Sequence, residues 1–172
     1  MWRRVVVGVD GSLGSLSALR QAVAIAQQEG ASLHVVWVCQ QVVGHVSVAA
    51  SMPHNPMVVA DGRRRIADAF DCSLGGYPAD VAVKADVRAY EGNPGRALVE
   101  IAGRADDLLV VGAGTRRWLH RGQSVSRYCL RYARCPVLVA PPSELARAVS
   151  HHLGWSRKIS HRLLRVVADP EP

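Results

Sequence analysis

Two short stretches of this chain combine residue types that suit a phosphate group. "VDGS" places Asp10, Gly11 and Ser12 directly after an apolar run. "VVGAGT" does the same with Gly112, Gly114 and Thr115, and "SVS" follows downstream at Ser124, Val125 and Ser126. Glycine lets backbone N–H groups come close to an anion, and hydroxyl groups donate to its oxygens. Where such a turn opens a helix, the unpaired amides and the positive end of the helix dipole add to the attraction. Arg116, Arg117 and Arg121 flank the second stretch, and they read either as charge-assisted phosphate contacts or as a solvated turn.

Neither stretch completes a catalytic or dinucleotide fingerprint. "GAGTRR" is GxG without the third glycine and comes late in the chain, which argues against a dinucleotide site. A P-loop needs GxxxxGK followed by Ser or Thr, and no such lysine is present. With no activated nucleophile, paired carboxylates or metal cluster near the glycines, catalysis is not indicated. Cys39, Cys72, Cys129 and Cys135 form no CxxC pair, so they read as reduced thiols and not as a zinc site.

The elements that position these residues follow from hydrophobic patterning. Val5 to Val9, Leu33 to Val38 and Leu108 to Val111 are continuous β-branched or aliphatic runs, the pattern of strands buried on both faces of a parallel sheet. After the first run, Leu16, Leu19, Ala22, Val23 and Ala26 recur at helical spacing, with Ser12 or Ser15 as N-cap and Gly30 as the stop. Gln40 to Pro56 reads as a long surface loop, and residues 58 to 74 as a second helix with Arg63, Arg64 and Arg65 turned outward. Val81 to Ala89 alternates and predicts a less buried strand. Asn93 and Pro94 form a helix start, Val125 to Tyr132 is helical in pattern, and "CPVLVA" is a fifth strand. Alternation of strand and helix predicts right-handed crossovers and one parallel sheet covered on both faces.

Past Pro141 and Pro142 the character changes. Residues 143 to 172 predict two short amphipathic helices with a basic face, so the chain divides into a domain of residues 1 to 142 and an extension of residues 143 to 172. The formal charge of +7 is spread over separate arginines and reads as solvated helix faces, so neither nucleic acid nor membrane is expected as a partner. No apolar stretch reaches about 18 residues and no cleavable leader precedes the first strand, which predicts a cytoplasmic protein.

Four segments in succession, "VVVGVDGSLGS", "GASLHVVWV", "GNPGRALVEIAGRADDLLVVGAG" and "SVSRYCLRYARCPVLVA", resemble the universal stress protein family in order and spacing. The resemblance covers about residues 3 to 141. It implies an adenine-nucleotide alpha-hydrolase-like fold, an α/β three-layer sandwich around five parallel strands in the order 3-2-1-4-5. It also implies a homodimer through antiparallel pairing of the last strand, Pro136 to Ala140. Members that bind ATP share a motif of glycine, two residues, glycine, nine residues, glycine, then Ser or Thr. Gly112 matches the first glycine and Ser124 the final hydroxyl, with Val125 and Ser126 continuing as the family does. Thr115 stands at the second glycine, Gln123 replaces the glycine before Ser124, and the loop is about two residues shorter. Gly114 and Gly122 offer substitutes by a shift of register.

The same resemblance carries Asp10, with Gly11 and Ser12 beside it, over as a ribose or adenine contact, and Val38 as the backbone partner of the adenine edge. The implied ligand is ATP or AMP, with Mg2+ accompanying ATP. Structural readings stand beside these: Asp10 as a cap or turn residue, Gly112 and Gly114 as a tight turn. Two functions follow. One is a stress-response regulator that binds an adenine nucleotide with little or no turnover. The other is a nucleotide-independent dimeric interaction module whose altered loop no longer binds ATP and whose extension recruits a protein partner. Slow ATP hydrolysis is a third, minor reading.

Overall fold

Strands and helices alternate as the apolar runs require. The structure, a computed structural model, describes residues 1–41, 56–91, 93–113 and 124–142. The chain divides into two units, Met1–Pro141 and Pro142–Pro172, and every described element lies in the first. In chain order these are β1 (Arg4–Val9), α1 (Leu13–Glu29), β2 (Ser32–Gln41), α2 (Pro56–Leu74), β3 (Val83–Glu91), α3 (Pro94–Ile101), β4 (Asp107–Gly112), α4 (Val125–Tyr132) and β5 (Val137–Ala140). The predicted extension lies outside the described residues.

All strand pairs are parallel, and the sheet order is β3-β2-β1-β4-β5. Val7 of β1 stands opposite Val35 of β2 on one side and Val110 of β4 on the other. The β-branched run of β1 is buried throughout because both faces are covered. Val5 and Val7 pack with Leu19 of α1 and Phe70 of α2, while Val6 packs with Leu98 of α3 and Cys129 of α4. The result is three layers, as expected of strands that alternate their side chains between faces.

Local chemistry sets the helix ends. Ser12 is the N-cap of α1, its Oγ accepting from the Ser15 amide at 3.2 Å, whereas Ser15 is buried inside the first turn. Gly30 closes the helix at φ 64°, the left-handed conformation that a side chain disfavours. Asn93 caps α3 ahead of Pro94. Helix α2 starts two residues earlier than its periodicity predicts, at Pro56, a residue whose fixed φ suits a first turn. Strand β3 spans Val83–Glu91 and not 81 to 89, because its pairing with β2 begins at Leu33↔Val83. Strand β4 stops at Gly112.

An ion pair fastens the amino ends of β1 and β4. Arg4 Nε donates to Asp107 Oδ1 at 2.8 Å and Nη2 to Oδ2 at 2.6 Å, while Nη2 also donates to the Ile101 carbonyl at 2.8 Å. Burial pushes the fully enclosed Asp107 carboxyl up, but the Arg4 guanidinium and the Arg104 amide outweigh it and hold it below the ordinary carboxylate value. His34 of β2 is 4% exposed, with Nε2 3.4 Å from Asp86 Oδ2 and neither ring nitrogen hydrogen-bonded. Burial lowers its pKa, against the opposing pull of Asp86. All four cysteines are free thiols.

Candidate functional site

In this strand order the chain leaves β1 towards β2 on one side, and β4 lies on the other. Ligands of doubly wound sheets bind where the order reverses, beyond the carboxyl ends of the strands. A cleft of about 260 Å³ lies there, lined by residues from the ends of β1, β2 and β4 and from the first turns of α1, α3 and α4.

The β1 end supplies Asp10. Its Oδ1 accepts from the Ser12 amide at 2.9 Å, its own amide donates to Ser15 Oγ at 3.3 Å, and that hydroxyl donates to the Ser12 carbonyl at 2.9 Å. Asp10 therefore is a turn residue, yet it is exposed at the cleft and Oδ2 takes no part in the turn. Gly11 makes the bend at φ 79° and is not a wall residue.

The β4 end supplies Gly112, and its need for glycine is one of space. Its φ is not in the left-handed region. A Cβ there would lie 2.5 Å from the carbonyl carbon and oxygen of Gly14 and 2.9 Å from the Ser15 amide. The first turn of α1 thus rests directly on the end of β4, so close backbone approach requires a glycine at position 112.

At α4, Ser124 is the N-cap, its Oγ accepting from the Arg127 amide at 3.2 Å and lying 3.3 Å from Ser126 Oγ. The amides of Val125 and Ser126 have no acceptor within the helix, and both residues line the cleft. Two helix N-termini, those of α1 and α4, therefore bring unpaired donors and partial positive charge to one cavity.

Val38 reaches the cleft from β2. Ser32 donates to the Arg3 carbonyl and Leu33 to that of Ala82, so even-numbered residues of β2 aim their backbone groups towards β1 and odd-numbered ones towards β3. Pairing with β1 ends at Val9↔Trp37. The Val38 carbonyl thus projects past the end of β1, free to meet a ligand edge.

The structure therefore brings Asp10, Ser12, Val38, Gly112, Ser124, Val125 and Ser126 to one cleft. Gly114 and Thr115 lie outside the described residues, as do Arg116, Arg117, Arg121, Gly122 and Gln123. Sequence reasoning missed other wall residues, among them Gly8, Gly14, Val36, Pro94 and Leu98. Gly8 carried a signal, since a glycine inside a β-branched run marks a close approach. Among the described residues, no cluster of three or more His, Cys, Asp or Glu side chains is placed to hold a metal, and no helix is long and apolar enough to cross a membrane.

A parallel sheet in this order, covered by helices on both faces and with helix N-termini converging on its switch point, is the expected doubly wound α/β three-layer sandwich. Residues 1–141 match the universal stress protein family, and the chain belongs to it. Among solved structures it is similar to the universal stress protein UspA of Lactobacillus plantarum, at 22% identity over 81% of this chain and 97% of that one, with a TM-score of 0.58. A universal stress protein solved in complex with cAMP is 28% identical, over 83% and 99% of the two chains, at a TM-score of 0.53. A family member from Burkholderia pseudomallei is 25% identical, over 83% and 97%, with the same TM-score of 0.53.

Proposed function

We propose that this protein is a cytoplasmic stress-response regulator that binds an adenine nucleotide, ATP or AMP, with little or no turnover. The observation that carries the reading is the convergence of the α1 and α4 N-termini, with the Ser124 and Ser126 hydroxyls, on a cleft whose far wall is apolar. Phosphate suits the first end and a base the second. The relative that holds cAMP lends support. The residues assigned to contact are Asp10, Ser12, Val38, Gly112, Ser124, Val125 and Ser126, which line the cleft, together with Gly114 and Thr115 of the motif. Asp10 is the one carboxylate among the described lining residues, so Mg2+ arriving with ATP would be held chiefly by phosphate oxygens and water.

Strand β5 ends the sheet, and Val137, Leu138 and Val139 are half-buried. These features support pairing of Pro136 to Ala140 with a second copy. One observation favours the nucleotide-independent alternative, in which the extension recruits a protein partner: Gly112 packs on Gly14 for reasons that need no phosphate.

The deciding experiment is thermal unfolding with and without nucleotide. At a hundredfold excess over Kd, a ligand adds about 2.7 kcal/mol, which for a domain of this size raises Tm by about 5 to 10 °C. A shift of that order with AMP or ATP, together with adenine nucleotide released on denaturing the purified protein, supports the reading. No shift at millimolar AMP and ATP overturns it in favour of the interaction module.

A further inference from the structure

Strand β3 is the edge of the sheet opposite β5, and among the described residues no strand lies beyond it. Leu33 of β2 donates to the Ala82 carbonyl and stands opposite Val83, so the even-numbered residues of β3 turn their backbone groups towards β2. The N–H and C=O groups of Val83, Ala85 and Val87 therefore point outwards, along an edge strand of 9 residues. The two faces of this edge differ. Val83 and Val87 pack against the core on the α2 side, with exposed Ala85 between them. On the other face Asp86 stands opposite Val36, which packs with α3, and Lys84 and Arg88 flank it there as a row of alternating charge. Arg88 Nη2 donates to Asp86 Oδ2 at 3.1 Å, and the Arg88 side chain is 55% exposed.

A free sheet edge accepts an added strand, and the side chains along it decide which strand fits. We propose that β3 is a self-association surface, on which a second copy of this chain lays its own β3 antiparallel about a twofold axis through Val87, the middle residue of the strand. In that register the outward backbone groups of Val87 meet those of its counterpart, and Asp86 stands opposite the second copy's Arg88 on both sides of the axis. Other registers fail. A slide of one residue sets outward groups against residues already turned to β2. A slide of two opposes Asp86 to Asp86 and Lys84 to Arg88 in one direction, and Arg88 to Arg88 in the other. A slide of four in the first direction matches Lys84 with Asp86 but leaves only residues 83–87 in the ladder. The charge pattern of the edge thus selects one partner, another β3, in one register. Because β5 lies at the far end of the sheet, pairing there does not compete, and both together would extend the sheet from copy to copy.

The test is sedimentation velocity of the full-length protein over a range of concentrations at low salt. Arg88→Asp leaves two carboxylates on this face and Asp86→Arg two guanidinium groups, so each variant alone opposes like charges across the axis. Each is expected to weaken the association step at β3 about tenfold or more. An equimolar mixture opposes unlike charges at both positions and is expected to restore that step as a mixed pair. Pairing through β5 is untouched by either change, so it can produce neither the loss nor the rescue. Single variants that associate like wild type overturn the proposal, as does a mixture that stays dissociated. Wild-type protein that is monomeric at every concentration also overturns it and leaves the edge to a strand from another protein. Asp86 lies 3.4 Å from the buried His34 ring, so should Asp86→Arg fail to fold, Ala85→Pro takes its place. Its ring replaces an outward amide and no bond to β2, so the fold is kept while the second strand is blocked; association is expected to fall as for Arg88→Asp, and unchanged association overturns the proposal.

Discussion

Replacing Gly112 by alanine separates two explanations of why a glycine ends β4. The added methyl would lie 2.5 Å from the carbonyl group of Gly14 and 2.9 Å from the Ser15 amide. Favourable carbon contacts begin near 3.5 Å, so the α1 backbone must retreat by about 1 Å. Backbone cannot swing aside as a side-chain tip can. Overpacking of this kind costs about 2 to 3 kcal/mol, which corresponds to a fall in Tm of about 5 to 10 °C for a chain of this size. Gly14→Ala supplies the control. Its methyl would lie 3.0 Å from the Ala113 carbonyl oxygen, a milder collision that the gain in helix propensity of up to about 1 kcal/mol offsets. Its Tm is expected within about 2 °C of wild type. Both are read by differential scanning calorimetry without ligand. A Gly112→Ala variant that melts with wild type but no longer binds AMP would refute the packing argument and leave phosphate approach as the sole reason for the glycine.

Three further outcomes follow from the buried titrating groups. Asp107→Asn, which leaves the Arg4 guanidinium without its carboxylate, is expected to cost about 3 kcal/mol in urea unfolding at pH 7. Because the folded carboxyl sits below its ordinary value, this contribution is present above about pH 4 and is lost as pH falls through the folded value, so wild type and variant should converge in acid. For His34 the folded pKa is lowered by burial, so the unfolded chain takes up its proton first; stability is full above about pH 6.5 and declines as pH falls, by no more than about 1.4 kcal/mol per unit. His34→Leu should remove that part of the decline, and an unchanged pH profile would count against it. Burial also pushes the Cys129 thiol up to about 12, so Ellman's reagent at pH 8 should modify exposed Cys72 rapidly and Cys129 only on unfolding.

The sequence made the frame legible where one segment carries its own signal. The runs at Val5 and Leu108 announce doubly covered strands because both faces demand apolar side chains. Gly30, Asn93 and Pro94 act on their own helix ends, so local reasoning found them. Ser12 was legible for the same reason, as a cap of the helix it precedes, whereas Ser124 was singled out by the family motif and its capping of α4 is seen only in the structure. What stayed hidden depends on two distant segments meeting. Gly14 against Gly112 and the Leu98 side chain over Gly8 are contacts between elements far apart in the chain, and no spacing within either segment encodes them. The choice between Ser12 and Ser15 as cap also needed three dimensions, because both hydroxyls suit the role until burial assigns Ser15 to the interior.

The seating of α1 on the end of β4 has a thermodynamic consequence for whatever enters the cleft. Backbone held against backbone has almost no rotamers to surrender, so this wall is ordered when the chain folds and not when a ligand arrives. A guest then loses its own freedom without having to organise that side of its host. On that side, association should proceed at the pace of encounter, and differences in affinity between guests should appear in how long each one stays.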